Sequence, residues 1–93
     1  EQLFAAGYAA CFHSALQSVA RQAKKKLGDS SVGARVSIGK AGEGFGLAVT
    51  LEVVIPDLPQ DEAQQLADAA HQVCPYSNAT RGNIRVDVQV VDD

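Results

Sequence analysis

The chain is predicted to be an α+β protein, on three observations. Two stretches space their apolar residues at helical intervals, and three others alternate apolar and polar residues strictly. The order is helix, hairpin, helix, strand, without the regular β-α repeat of a parallel sheet. The expected architecture is a long buried central helix and a second, cysteine-bearing helix against a mainly antiparallel sheet. At 93 residues the chain suits one domain, residues 1–93.

Residues 1–27 read as the first helix. Phe12, Leu16, Val19, Ala20, Ala23 and Leu27 share one face, and Leu3 to Phe12 is apolar or small nearly all round. Small residues at Gly7, Ser14, Ala15 and Ser18 allow close approach of a neighbour. Gly28 is expected to stop the helix. Ala34, Val36 and Ile38, then Leu47, Val49, Leu51, Val53 and Ile55, alternate as the arms of a hairpin. The stretch from Gly39 to Gly46 supplies turn residues between them. Its glycines do not form a phosphate loop, because no Lys-Ser/Thr pair follows and the next element is a strand.

After Pro56 and Pro59 comes the second helix, "QDEAQQLADAAHQVC". Carboxylates stand in its first turn, and Ala63, Leu66, Ala67, Ala70 and Val73 form its stripe. "PYSNATRGN" is a turn or short helix ending at Gly82, and Ile84, Val86, Val88 and Val90 alternate as a last strand. Three strands and one helix cannot cover all sides of the first helix. Missing N-terminal strands or a second subunit must do so, and a homodimer is the natural inference.

The net charge is -3 and 46% of residues are hydrophobic, which argues against a nucleic-acid partner. Lys24, Lys25 and Lys26 sit where cations complement a helix C-terminus. No apolar run is long enough to span a bilayer, and no signal sequence is evident. Two cysteines in such a chain point to a reducing, cytoplasmic setting. The chain has no methionine, and Glu1 opens inside a helical pattern with no cap residue before it. It is expected to begin partway through a natural domain.

Cys11 and Cys74 lie on apolar helix faces, and four readings compete. Each is a small buried hydrophobe, as free cysteine usually is. Or Cys74, in Cys-Pro-Tyr-Ser, is a glutaredoxin-like thiol, although that motif requires a preceding strand. Or a metal is held by members of the set Cys11, His13, His71 and Cys74. Of these, His71 and Cys74 can share an ion, but Cys11 and His13 point apart. Or the two cysteines face each other as a dithiol. Against that last reading, no charge stands within one helical turn of Cys11, so its thiol pKa should stay near the ordinary value. Arg81 is the nearest cation in sequence to Cys74.

"EQLFAAGYAACFHSAL" and "AAHQVCPYSNATRGNI" resemble the two cysteine motifs of the organic hydroperoxide resistance proteins (Ohr), within the OsmC superfamily. The likeness runs on through "GFGLAVTLEVVIP" and covers nearly the whole chain. It implies a thiol peroxidase that reduces alkyl and fatty-acid hydroperoxides to alcohols in defence against oxidative stress. Cys11 falls at the peroxidatic position and Cys74 at the resolving one. Glu1 matches a catalytic glutamate that positions an activating arginine. That arginine belongs to an N-terminal β-rich segment absent from this chain, which bears on whether the chain alone is active.

The resemblance further implies an intertwined homodimer, reduction by lipoyl groups on lipoylated proteins, and no metal or other cofactor. Phe4, Tyr8 and Phe12 are expected to provide apolar surroundings for the substrate. The rival from another class is a non-catalytic oligomerising fragment whose cysteines are structural.

Overall fold

The computed structural model describes residues 2–25, 27–42 and 44–91. Helix α1 (Gln2–Gln22) is followed by strands β1 (Ser31–Ala41) and β2 (Gly44–Val54). Helices α2 (Gln60–Val73) and α3 (Pro75–Thr80) then lead into β3 (Arg85–Val90). One sheet in the order β1-β2-β3 carries α1 and α2 on the same side.

The α+β class holds, with a mixed sheet. β1 and β2 pair antiparallel from Ser31 opposite Val54 to Ala41 opposite Gly44. β3 runs parallel to β2, Ala48 opposite Arg85 and Val53 opposite Val90. The last three elements therefore close a β-α-β crossover that the alternation pattern could not announce. Period-two alternation fixes which face a residue joins, but it is the same in either strand direction.

The hairpin is tighter than expected. Gly39 and Gly46 pair across the strands, and the chain reverses beyond Ala41 with Gly42 left-handed at φ 60°. The first helix is shorter. It ends at Gln22, before Gly28, because Lys24 adopts φ 59°. Lys25 N–H then reaches the Ala20 carbonyl at 2.8 Å and Lys24 N–H that of Arg21 at 3.1 Å. This pair of bonds satisfies carbonyls that the helix end leaves free, with lysine where glycine is usual. Leu27 is buried from the following loop rather than from the helix, and Ala23 is exposed.

The core lies between the helices and β2. Tyr8, Phe12, Leu16 and Ala20 of α1 meet Val49, Leu51, Val53 and Ile55, with Ala63, Leu66, Ala67 and Ala70 of α2 closing the side. Alanines in α2 hold it close to α1, as the absence of longer side chains allows. The N-terminal half of α1 is covered on one side only, and Leu3 is 89% exposed. Lys25 bridges α1's end to Glu62 of α2 at 2.6 Å, a pair worth little because both groups are well exposed. Among the described residues no helix is long and apolar enough to cross a membrane.

Candidate functional site: a facing pair of thiols

Cys11 sits at the midpoint of α1 and Cys74 at the joint between α2 and α3. The Cys74 backbone N–H caps α2 through the Ala70 carbonyl, at 2.8 Å. Pro75 at the first position of α3 has no N–H to lose there, and its ring favours the turn. Cys74 is thus preceded by a helix, not by the strand a glutaredoxin-like motif requires. The joint delivers its sulfur to α1: Cys74 Sγ lies 3.7 Å from Cys11 Sγ. Both are free thiols, Cys74 fully buried and Cys11 half-buried. A disulfide needs about 2.05 Å, so a small approach separates the reduced pair from a bond.

Cys11 departs from the ordinary thiol pKa expected of it. Burial pushes it up, the Tyr76 backbone N–H pulls it down, and neighbouring Cys74 disfavours a second negative charge and pushes it up again. The balance is a raised value. No cation among the described residues enters that balance. Arg81 is engaged elsewhere, donating to Asn78 Oδ1 at 2.7 Å and to the His71 carbonyl at 2.8 Å. Glu1 lies outside the described residues.

The two histidines are accounted for by hydroxyl partners. His13 Nε2 meets Ser30 Oγ at 2.9 Å, and His71 Nδ1 meets Ser77 Oγ at 2.7 Å. Among the described residues no three His, Cys, Asp or Glu side chains cluster as a metal site would require. Burial holds His71 below its ordinary pKa, helped by Arg81 and opposed by Asp68.

A second contact between α1 and α3 escaped sequence reasoning. Tyr8 Oη lies 2.7 Å from Ser77 Oγ, with both residues fully buried, and 3.4 Å from Thr80 Oγ1. Thr80 in turn donates to the Ser77 carbonyl at 3.2 Å. The signal in the sequence was faint: a serine three residues after one cysteine and a tyrosine three before the other.

An aromatic group lies beside the thiols. Tyr76 stacks on Phe4 at 6.0 Å between ring centroids, and both rings contact Tyr8, at 5.5 and 5.9 Å. Of the small residues on α1, Gly7 admits the Tyr76 ring and Ala15 is buried, whereas Ser14 is exposed. Tyr8 and Phe12 are 0% exposed, so they support the site from below. The accessible apolar wall is made by Phe4 and Tyr76.

Two helices presenting facing thiols over one side of a mixed three-stranded sheet define an α+β protein with a paired-cysteine site. Residues 1–89 match the family model described as OsmC-like protein. An organic hydroperoxide resistance protein of Xanthomonas axonopodis pv. citri is 58% identical over 87 residues, 92% of this chain and 61% of the relative. The organic hydroperoxide resistance protein OhrB of Bacillus subtilis is 49% identical over 97% of this chain and 67% of its own length. The crystal structure of an organic hydroperoxide resistance protein from Elizabethkingia anophelis superimposes with a TM-score of 0.93 at 55% identity, covering all of this chain and 67% of that one. The chain therefore belongs to the OsmC-like family, among the organic hydroperoxide resistance proteins. It spans about 61 to 67% of the length of these relatives.

Proposed function

We propose that this chain carries the thiol centre of an organic hydroperoxide reductase acting in defence against oxidative stress. The observation that supports the reading is the 3.7 Å approach of Cys11 and Cys74 from separate helices, at the two positions the family motifs assign. The Cys11 thiolate attacks the hydroperoxide oxygen; an S–O bond forms and the O–O bond breaks. The departing alkoxide takes a proton and leaves as the alcohol, with Cys11 oxidised by two electrons to a sulfenic acid. Cys74 then attacks that sulfur, the S–O bond breaks, water leaves, and a disulfide remains. An external dithiol restores the pair by exchange and is itself oxidised.

The raised pKa of Cys11 means that the first step needs a cation the described residues do not bring to the sulfur. An arginine positioned by Glu1 fills that role in this reading, as the family likeness implies. Phe4 and Tyr76 form an apolar wall suited to alkyl or fatty-acid chains. Homodimerisation, a lipoylated reductant and a cytoplasmic setting complete the proposal.

The rival reading, two thiols that merely pack, draws on the full burial of Cys74. Variants in a peroxide-consuming form of the protein separate the two. Cys11→Ser should abolish turnover. Cys74→Ser should keep a first turnover and then overoxidise at Cys11, for want of a resolving thiol. Loss of the first turnover in both variants alike, or normal turnover in both, would overturn the assignment.

A further inference from the structure

The Cys74 joint is tied to α1 at a second point, one helical turn from the sulfurs. Tyr8 precedes Cys11 by three residues and Ser77 follows Cys74 by three, so each shares a helix face with its cysteine. The hydroxyls meet at 2.7 Å where the sulfurs stand 3.7 Å apart. Ser77 Oγ also holds His71 Nδ1 at 2.7 Å, on the far side of the joint. One buried hydroxyl thus joins α1, the last turn of α2 and α3, and Cys74 lies inside the loop it closes.

Proton counting makes this a directed arrangement. With His71 neutral and Nδ1 unprotonated, Tyr8 donates to Ser77 and Ser77 donates to His71, and every hydroxyl proton is used. If Ser77 loses its hydroxyl, Tyr8 keeps only Thr80 at 3.4 Å, too long for a good O–H···O bond. Among the described residues, α3 is then held against α1 beside the sulfurs by the Tyr76 backbone N–H on Cys11 alone, without a side-chain hydrogen bond of good length.

We propose that Ser77 is a positioning residue for disulfide closure, holding the Cys74 joint against Tyr8 of α1 so that the two sulfurs start within a short approach of bonding. The inference rests on the dithiol reading given above. It concerns the closing of the bond and not the attack on peroxide, so it can be tested without a hydroperoxide. In a buffer of reduced and oxidised glutathione, the protein dithiol gives two electrons to the glutathione disulfide, forming Cys11–Cys74 and two glutathione thiols.

The expected result is that Ser77→Ala lowers this equilibrium constant on the order of fivefold to tenfold, the effect of one buried hydrogen bond. Tyr8→Phe, which removes only the other hydroxyl, should lower it similarly, and the double variant should be no worse than either alone. Val53→Ala serves as a control that loosens the core away from the joint; it should lower the thermal midpoint and leave the constant unchanged. A constant within twofold of wild type in both Ser77→Ala and Tyr8→Phe overturns the clamp while leaving the dithiol reading intact. A wild-type protein that forms no Cys11–Cys74 disulfide overturns both.

Discussion

Gly7 of α1 and Tyr76 of α3 fit as a notch and its occupant: a Cβ built on Gly7 would stand 2.6 Å from the Tyr76 hydroxyl oxygen. A helix-interior glycine normally costs stability, about 0.5–1 kcal/mol against alanine. Here the missing side chain lets the tyrosine ring lie over α1 and against Phe4. Gly7→Ala should therefore have two opposing effects, a helix-propensity gain and an outward shift of the ring. Tyr76 is already 36% exposed and can swing, so the net stability change should stay within about 1 kcal/mol. The aromatic near-UV circular dichroism should fall as the stack opens. An unchanged spectrum would show that the ring does not depend on the notch.

The Cys11 thiol should be slow to alkylate at neutral pH in the 93-residue chain. Its alkylation midpoint should lie above that of an ordinary cysteine, because burial and Cys74 outweigh the Tyr76 N–H. Cys74→Ser should lower the midpoint by removing the neighbouring thiol. In a form of the protein that supplies the arginine proposed above, the midpoint should lie much lower, and Glu1→Ala in that form should undo part of the gain. A thiol fully reactive at neutral pH in the short chain would place the activator inside it.

His71 makes stability depend on pH in a definite direction. Its folded pKa is depressed, so the unfolded chain binds the proton more readily. The contribution to stability is complete above the unfolded value of about 6.5 and is lost as pH falls through the folded value. Protonation would also oblige Nδ1 to donate to Ser77, reversing the hydroxyl chain to Tyr8. The thermal midpoint should decline below about pH 6.5, and His71→Gln should flatten that part of the profile. Asp68 partly offsets the shift and Arg81 adds to it, so Asp68→Asn should deepen the decline.

Lys24 holds a left-handed backbone that glycine adopts without strain. Lys24→Gly should raise stability by about 0.5–1 kcal/mol, the relief at the helix end exceeding the added freedom of the unfolded chain. Chemical denaturation measures this directly. A loss of stability would mean that the lysine side chain contributes more than its backbone costs.

The sequence by itself determined the elements whose period is a property of the local backbone. The stripe of Ala63, Leu66, Ala67 and Ala70 could only be one face of a helix, although Val73, read with it, is 53% exposed at the helix end, and the alternation from Leu47 to Ile55 could only be one face of a strand. The cysteine motifs were long enough to point to the family as well. Other features were out of reach because they depend on residues far apart in the chain. The parallel seating of β3 against β2 rests on the path of α2 and α3, to which alternation is indifferent. The end of α1 at Gln22 was set by backbone bonds from Lys24 to Arg21 and from Lys25 to Ala20 that no residue type there advertised. Above all, Cys11 and Cys74 are 63 positions apart, and nothing local to either encodes their 3.7 Å separation. Tertiary packing decided it, because alanines on α2, the Pro75 joint and the Tyr8–Ser77 contact together set how closely that joint can rest on α1.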